Sequence, residues 1–216
     1  MKKNLFISAF ALLGFAASAQ NSKVKFGIKG GYVLSTIKEK YSNMSNSGDP
    51  KSSFYVGGLV EYRIDNQWGL QGEILYADLG GRDEVNLGTQ NVNGQNVYVG
   101  KVKQKTNLST IVVPVGAKYF VTNNFTVNGG FNFAFYVSKD IKNDLTQYGT
   151  SVNISGDNIL KTFNFAPYLG LEYQFDNGLF VDSRYNFGVA NISKVNVDGY
   201  KVRNSFFQIG LGYKFK

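Results

Sequence analysis

Nine charged residues recur at strand-like spacing along this chain, and they are its side chains with the most chemistry to offer. Four are carboxylates: Glu61, Glu73, Glu172 and Asp182. Five are cations: Lys29, Arg63, Lys118, Arg184 and Lys214. Carboxylates held near a substrate can act as general acid and base. Carboxylates confined with cations neutralise them instead, because an unpaired buried charge is costly. The second use is the expected one here. The chain contains no histidine and no cysteine. Ordinary zinc sites and Ser/His or Cys/His nucleophiles therefore cannot be assembled, and no disulfide framework exists. No phosphate-cradling or calcium-loop motif occurs, and no cofactor is expected.

The elements that would position these residues are strands. The stretch 205–215 alternates strictly, with Phe207, Ile209, Leu211, Tyr213 and Phe215 on one parity and Phe206, Gln208, Gly210, Gly212 and Lys214 on the other. Period two means a β-strand with one apolar face, and this one is long enough to cross a bilayer when tilted. Seven further segments alternate in the same way: 23–34, 53–64, 67–79, 108–120, 125–137, 162–175 and 179–189. Nearly all of their charged residues, and many glycines, lie on the parity opposite the large apolar side chains. No sustained helical period follows residue 20. Glycine is abundant at 25 residues, and 15% of the chain is aromatic, a composition that fits an all-β fold.

The links between segments alternate in length. Asp65-Asn66, 121–124 and Asp176-Asn177-Gly178 are tight turns. The links 35–52, 80–107, 138–161 and 190–200 are long and polar. Short turns at one end and long loops at the other describe an outer-membrane barrel. The expected fold is an eight-stranded antiparallel up-and-down transmembrane β-barrel, with both termini at the short-turn, periplasmic side. The final strand should pair with the first near Phe26 to Tyr32 and remove both sheet edges.

A soluble, lipocalin-like ligand barrel alternates too, with its apolar set inside. Volume argues against it: the apolar parity holds on the order of forty large side chains, while a packed eight-stranded interior holds about a dozen. The charged, glycine-rich parity should therefore fill a narrow polar lumen. Tyr32, Tyr62, Trp68, Tyr76, Tyr119, Phe125, Tyr173, Phe175 and Phe215 are candidates for interfacial aromatic girdles. The β-propensity of aromatic residues is the plainer account of any one of them.

Residues 1–19 have the form of a secretory signal peptide. Lys2 and Lys3 precede an apolar run from Leu5 to Ala16, and Ala17-Ser18-Ala19 predicts cleavage between Ala19 and Gln20. The barrel domain is then 20–216. Of the formal charge of +8, Lys2 and Lys3 account for two and leave +6 on the mature chain. That surplus favours anionic lipid or polysaccharide, or simply reflects solvated loops. No nucleic-acid module is present.

Several segments together resemble the PorT-like outer-membrane β-barrel family, often labelled porin-family proteins, of Gram-negative bacteria. They are Phe26-Gly27-Ile28-Lys29-Gly30-Gly31, Gly69-Leu70-Gln71-Gly72-Glu73-Ile74-Leu75-Tyr76, and Val113-Pro114-Val115 with Lys118-Tyr119-Phe120. Gly170-Leu171-Glu172-Tyr173, Arg184-Tyr185-Asn186-Phe187-Gly188 and Gly210-Leu211-Gly212-Tyr213-Lys214-Phe215 complete the set. The family often carries an acidic residue where this chain has Val112, which implies a rearranged salt bridge around Lys118. The resemblance implies an eight-stranded outer-membrane barrel and no common activity.

Three functions are compatible with such a barrel. The favoured one is a structural or surface-binding module without catalysis, its long loops outside and its lumen filled. A narrow porin-like channel, or a component of a secretion apparatus, is the alternative; open water channels need about sixteen strands. The third is an enzyme using the four carboxylates, for which ion pairing is the competing use. The expected partners are outer-membrane lipid, the barrel-assembly machinery during insertion, and an envelope or extracellular partner at the loops. A monomer is expected.

Overall fold

A computed structural model describes residues 23–42, 44–92, 95–145, 150–155 and 159–215. Residues 1–19, read as the signal peptide with cleavage between Ala19 and Gln20, lie outside the described residues. Ten strands form among them: β1 (Val24–Tyr41), β2 (Met44–Ser47), β3 (Lys51–Arg63), β4 (Trp68–Val92), β5 (Gln95–Phe120), β6 (Phe125–Leu145), β7 (Thr150–Ser155), β8 (Phe163–Gln174), β9 (Leu179–Asn186) and β10 (Tyr200–Lys214).

Eight of them pair in the order β10-β9-β8-β6-β5-β4-β3-β1, and β10 pairs back onto β1. The ring is closed and antiparallel throughout. The closing register runs from Gly27 opposite Lys214 through Tyr32 opposite Ile209 to Tyr41 opposite Tyr200. Phe215 N–H donates to Phe26 C=O at 2.8 Å. Closure leaves no barrel strand with an unpaired edge at membrane depth, which hydrocarbon would not tolerate.

The apolar parity faces outward. Ile28, Ile74, Leu169 and Leu211 are all more than half exposed, an arrangement that suits lipid and excludes the soluble ligand barrel. The opposite parity is buried, from Lys29 on β1 to Lys214 on β10.

The three tight turns form as the sequence implies. Asp65 accepts from the N–H groups of Gln67 and Trp68, each at 2.7 Å. Thr122 Oγ1 accepts from Phe125 N–H at 2.9 Å. Gly178 adopts φ +91°, which glycine supplies without a Cβ clash. Pro114 and Pro167 are tolerated because each sits where a ladder is interrupted or begins.

The long links depart from expectation. Most of 80–107 is a hairpin, with β4 and β5 paired from Leu79 opposite Leu108 to Val92 opposite Gln95 and the register shifting around Gly88. The link 138–161 carries the top of β6 and its partner β7, and 35–52 carries the top of β1 and its partner β2. Backbone polar groups need partners whether or not the side chains are apolar, so these polar stretches extend the sheet. Of the four links, 190–200 alone contains no strand beyond the first residue of β10.

Two glycines on β10 show how tightly the lumen is filled. A Cβ on Gly210 would collide with the Tyr55 hydroxyl, and one on Gly212 would collide with the Phe180 ring. Gly72 on the outer face has no neighbour closer than 3.7 Å. Gly212→Ala should therefore cost about 1–3 kcal/mol by overpacking. Gly72→Ala should change stability by less than about 0.5 kcal/mol. Urea unfolding in micelles, read by heat-modified gel mobility, checks both.

Candidate functional site

The candidate residues meet inside the barrel, on two levels. The level near the short turns is charged. Lys118 Nζ donates to Glu61 and to Glu172, both at 2.7 Å. Lys214 Nζ donates to the same two oxygens at 2.7 and 2.5 Å. The four groups form a closed square of alternating sign, each at most 2% exposed.

A second set of four lies beside it. Arg184 holds Glu73 with both terminal nitrogens, at 2.6 and 3.3 Å. Lys29 lies 3.4 Å from Glu73 and 2.5 Å from Asp182. Gln71 donates to Glu73, and the Tyr55 hydroxyl donates to Asp182 at 3.2 Å. The Arg184 guanidinium stacks over the Tyr168 ring at 4.2 Å. Glu172 and Asp182 stand directly opposite one another on β8 and β9, yet each turns to a different set. Four cations and four carboxylates thus balance within the lumen.

Arg63 does not join them. It is the last residue of β3, and its guanidinium donates to the Asp65 and Asn66 carbonyls of the adjoining turn at 3.2 and 3.0 Å. It covers the Phe120 ring at 4.2 Å. Its parity is right, but it sits at the barrel mouth, where the turn carbonyls are nearer than any lumen carboxylate.

The upper level is mixed: buried Ser35, Lys51, Thr110 and Asn204 stand beside an apolar cluster, where a polar lumen was expected throughout. Val33, Leu75, Ala77, Leu79, Leu108, Val112, Ala134, Tyr136 and Phe206 form a buried cluster with Leu160 and Ile192. The last two come from connecting segments that fold inward: Lys161 N–H donates to Ile192 C=O, and Ile192 N–H to Val202 C=O. They cap the lumen. Val112, where the resembled family often has an acid, packs in this cluster, and Lys118 finds Glu61 and Glu172 instead. Above the cap lies a cavity of about 130 Å³, lined by Ile37, Glu39, Ile141, Tyr200 and Val202 among others.

The girdle candidates are all on the outer parity. Tyr32, Tyr62, Trp68, Tyr76, Tyr119, Tyr173 and Phe175 are exposed, while Phe125 and Phe215 are half-buried. Trp68 meets Tyr119 edge-on at 5.0 Å, and Tyr173 meets Phe175 at 5.1 Å. Phe54 beside Tyr76, Phe135 beside Phe163, and Tyr213 beside Phe215 extend the set. Parity alone would have found them.

Glu61, Glu73, Glu172 and Asp182 thus each make an ion pair inside a filled interior. A closed ring of eight strands with an apolar exterior, a filled lumen and tall hairpins at one end defines an integral outer-membrane barrel.

The family comparison agrees. The model for outer membrane protein beta-barrel domains matches residues 17–194, and the chain belongs to that family, whose place is the Gram-negative outer membrane. Among solved structures the chain is similar to Ail, the attachment invasion locus protein of Yersinia pestis, in complex with the heparin analogue sucrose octasulfate. That likeness has 16% identity and a TM-score of 0.49, and covers 89% of this chain and 99% of that one. It is also similar to Neisserial surface protein A, with 14% identity, a TM-score of 0.44, and coverage of 88% and 97%. OprG from Pseudomonas aeruginosa has 17% identity, a TM-score of 0.41, and coverage of 89% and 96%. No curated protein matches the sequence.

Breaking the square tests its energetics. Lys118→Met leaves two buried carboxylates facing Lys214 alone, and stability should fall by about 3–5 kcal/mol. Adding Glu172→Gln to that variant should recover part of the loss. Urea unfolding of the three proteins in micelles measures the coupling; equal stability of wild type and Lys118→Met would show that the square contributes nothing.

Proposed function

We propose that this protein is a closed, non-catalytic barrel that displays its long hairpins as an extracellular binding surface. One observation carries the reading: the lumen is filled at two levels, by the charge-balanced sets below and the apolar cap above. A solute path would have to disrupt both. What the fold leaves available for recognition is the rim. From Leu79 to Val92 the β4–β5 hairpin extends about 40 Å along the strand. Its sides carry Arg82, Asp83, Glu84, Lys101, Lys103 and Lys105, with Lys101 paired to Glu84 at 2.8 Å. Rigid scaffolds commonly carry binding on such projections.

The rest of the reading follows from this orientation. Both described ends, Lys23 and Phe215, lie at the short-turn side, where Lys23 C=O accepts from Arg63 N–H. That side is periplasmic. Residues 1–19 are a signal peptide cut between Ala19 and Gln20, and barrel-assembly machinery inserts the remainder as a monomer. The outward aromatics mark the two membrane interfaces. The segments around Lys29, Glu73, Lys118 and Glu172 support placement in the PorT-like branch. The balanced lumen charges serve stability rather than acid–base catalysis.

Trypsin added to intact cells should cut within 80–107 and leave the barrel's heat-modifiable mobility unchanged. Cleavage only after the outer membrane is opened would overturn the orientation. Reconstituted protein should give no stepwise conductance in planar bilayers; a stable open level would establish the channel instead. Deleting 84–103 should leave a folded barrel that no longer crosslinks to its surface partner.

A further inference from the structure

We propose that the outer wall above β1 and β10 is a binding site for the phosphate groups of outer-leaflet lipid headgroups. It lies where the closing register sets like charges face to face. Lys38 stands opposite Arg203, and Lys40 stands opposite Lys201. Directly opposed like charges destabilise a sheet, and here two such pairs are stacked on successive outward rungs.

No neighbouring carboxylate relieves them. Glu39, between the two lysines, has the opposite parity: its partner Val202 is buried in the cap, and Glu39 accepts from the Tyr200 hydroxyl. None of the four cations makes an ion pair with a described residue. Arg203 Nε is buried without a hydrogen-bond partner. On the far side of β1, Ser47 pairs with Lys38 and Ser45 with Lys40, so each rung reads serine, lysine, cation across three strands.

Height selects the occupant. The outward face of this seam is apolar up to Leu34 opposite Phe207 and turns polar at Thr36 opposite Ser205. Lys38 and Arg203 come one rung later, about 7 Å along the strand. The headgroup layer of one leaflet is about 5–7 Å thick, so the cations emerge where lipid phosphates lie. Opposed side chains begin about 5 Å apart at Cβ, close enough for one phosphate to bridge both. Arginine can fork such an anion, and the lysines supply point charge. A bound phosphate converts the repulsive pairs into attractive ones.

The inference rests on the hairpins facing outward, but its test in micelles does not depend on orientation. Purified wild type in zwitterionic micelles is titrated with bisphosphorylated lipid A, with the same lipid after removal of its phosphates, and with inorganic phosphate. The readouts are the heat-modification midpoint and lipid retained in native mass spectrometry. Wild type should be stabilised by, and retain, the phosphorylated lipid alone. The variant Lys38→Gln, Lys40→Gln, Lys201→Gln, Arg203→Gln should half-saturate at a lipid concentration about tenfold higher or more. Without lipid it should be at least as stable as wild type, because the repulsion is gone. Lys23→Gln with Lys25→Gln, at the opposite rim, should behave as wild type. Unchanged lipid affinity in the fourfold variant would overturn the proposal. So would equal protection by inorganic phosphate, or a fourfold variant less stable than wild type in lipid-free micelles.

Discussion

Eight charges, four of each sign, are buried together inside the barrel, and the rest of the barrel is arranged so that they can meet. Each costs several kcal/mol if left alone. Their partners are rarely sequence neighbours. Lys118 on β5 needs Glu61 on β3 and Glu172 on β8, and Lys214 on β10 needs the same two residues. Lys29 on β1 and Arg184 on β9 both need Glu73 on β4. These strands surround one lumen only once the ring closes. The β1–β10 seam therefore satisfies two debts of an open sheet together: unpaired backbone edges and unpaired charge.

Closure on eight strands leaves little width, and the interior uses it unevenly. Glycines on one wall make room for large side chains from the other, as Gly210 does for Tyr55 and Gly212 for Phe180. Below, the filling is ionic and directional, which favours one register: sliding a strand by one residue would turn its charge toward lipid. Above, an apolar cluster packs beside buried polar groups, and segments outside the ring complete it through Leu160 and Ile192. A channel would need neither layer. The two together make the barrel a support for what stands on its rim.

The strands, their parity and the three tight turns were legible in the sequence because one face meets lipid and the other does not. Lys29, Glu61, Glu73, Lys118, Glu172, Asp182, Arg184 and Lys214 could be assigned to the inside on parity alone. Which carboxylate meets which cation could not, since that depends on register around a closed ring. The apolar cap was hidden for a related reason. Leu75 lies between Ile74 and Tyr76, and Val112 between Ile111 and Val113; where both faces are apolar, alternation vanishes. The hairpins were hidden by the converse: above the membrane both faces are polar, so strands read as loops. Arg63 had the right parity and the wrong height, and period two carries no information about height.

Height also separates the two ways this chain uses charge. Inside, the two ion-paired sets cancel, four cations against four carboxylates. At membrane depth an unpaired charge is costly. At the rim, unpaired charge is affordable because solvent and counterions screen it over about 10 Å. Like-charged rungs at Lys38–Arg203 and Lys40–Lys201 persist there because the environment, rather than the protein, supplies the opposite sign. The same physics that forces neutrality within the lumen leaves the rim free to be cationic, and so divides the barrel into a part that holds itself together and a part that faces others.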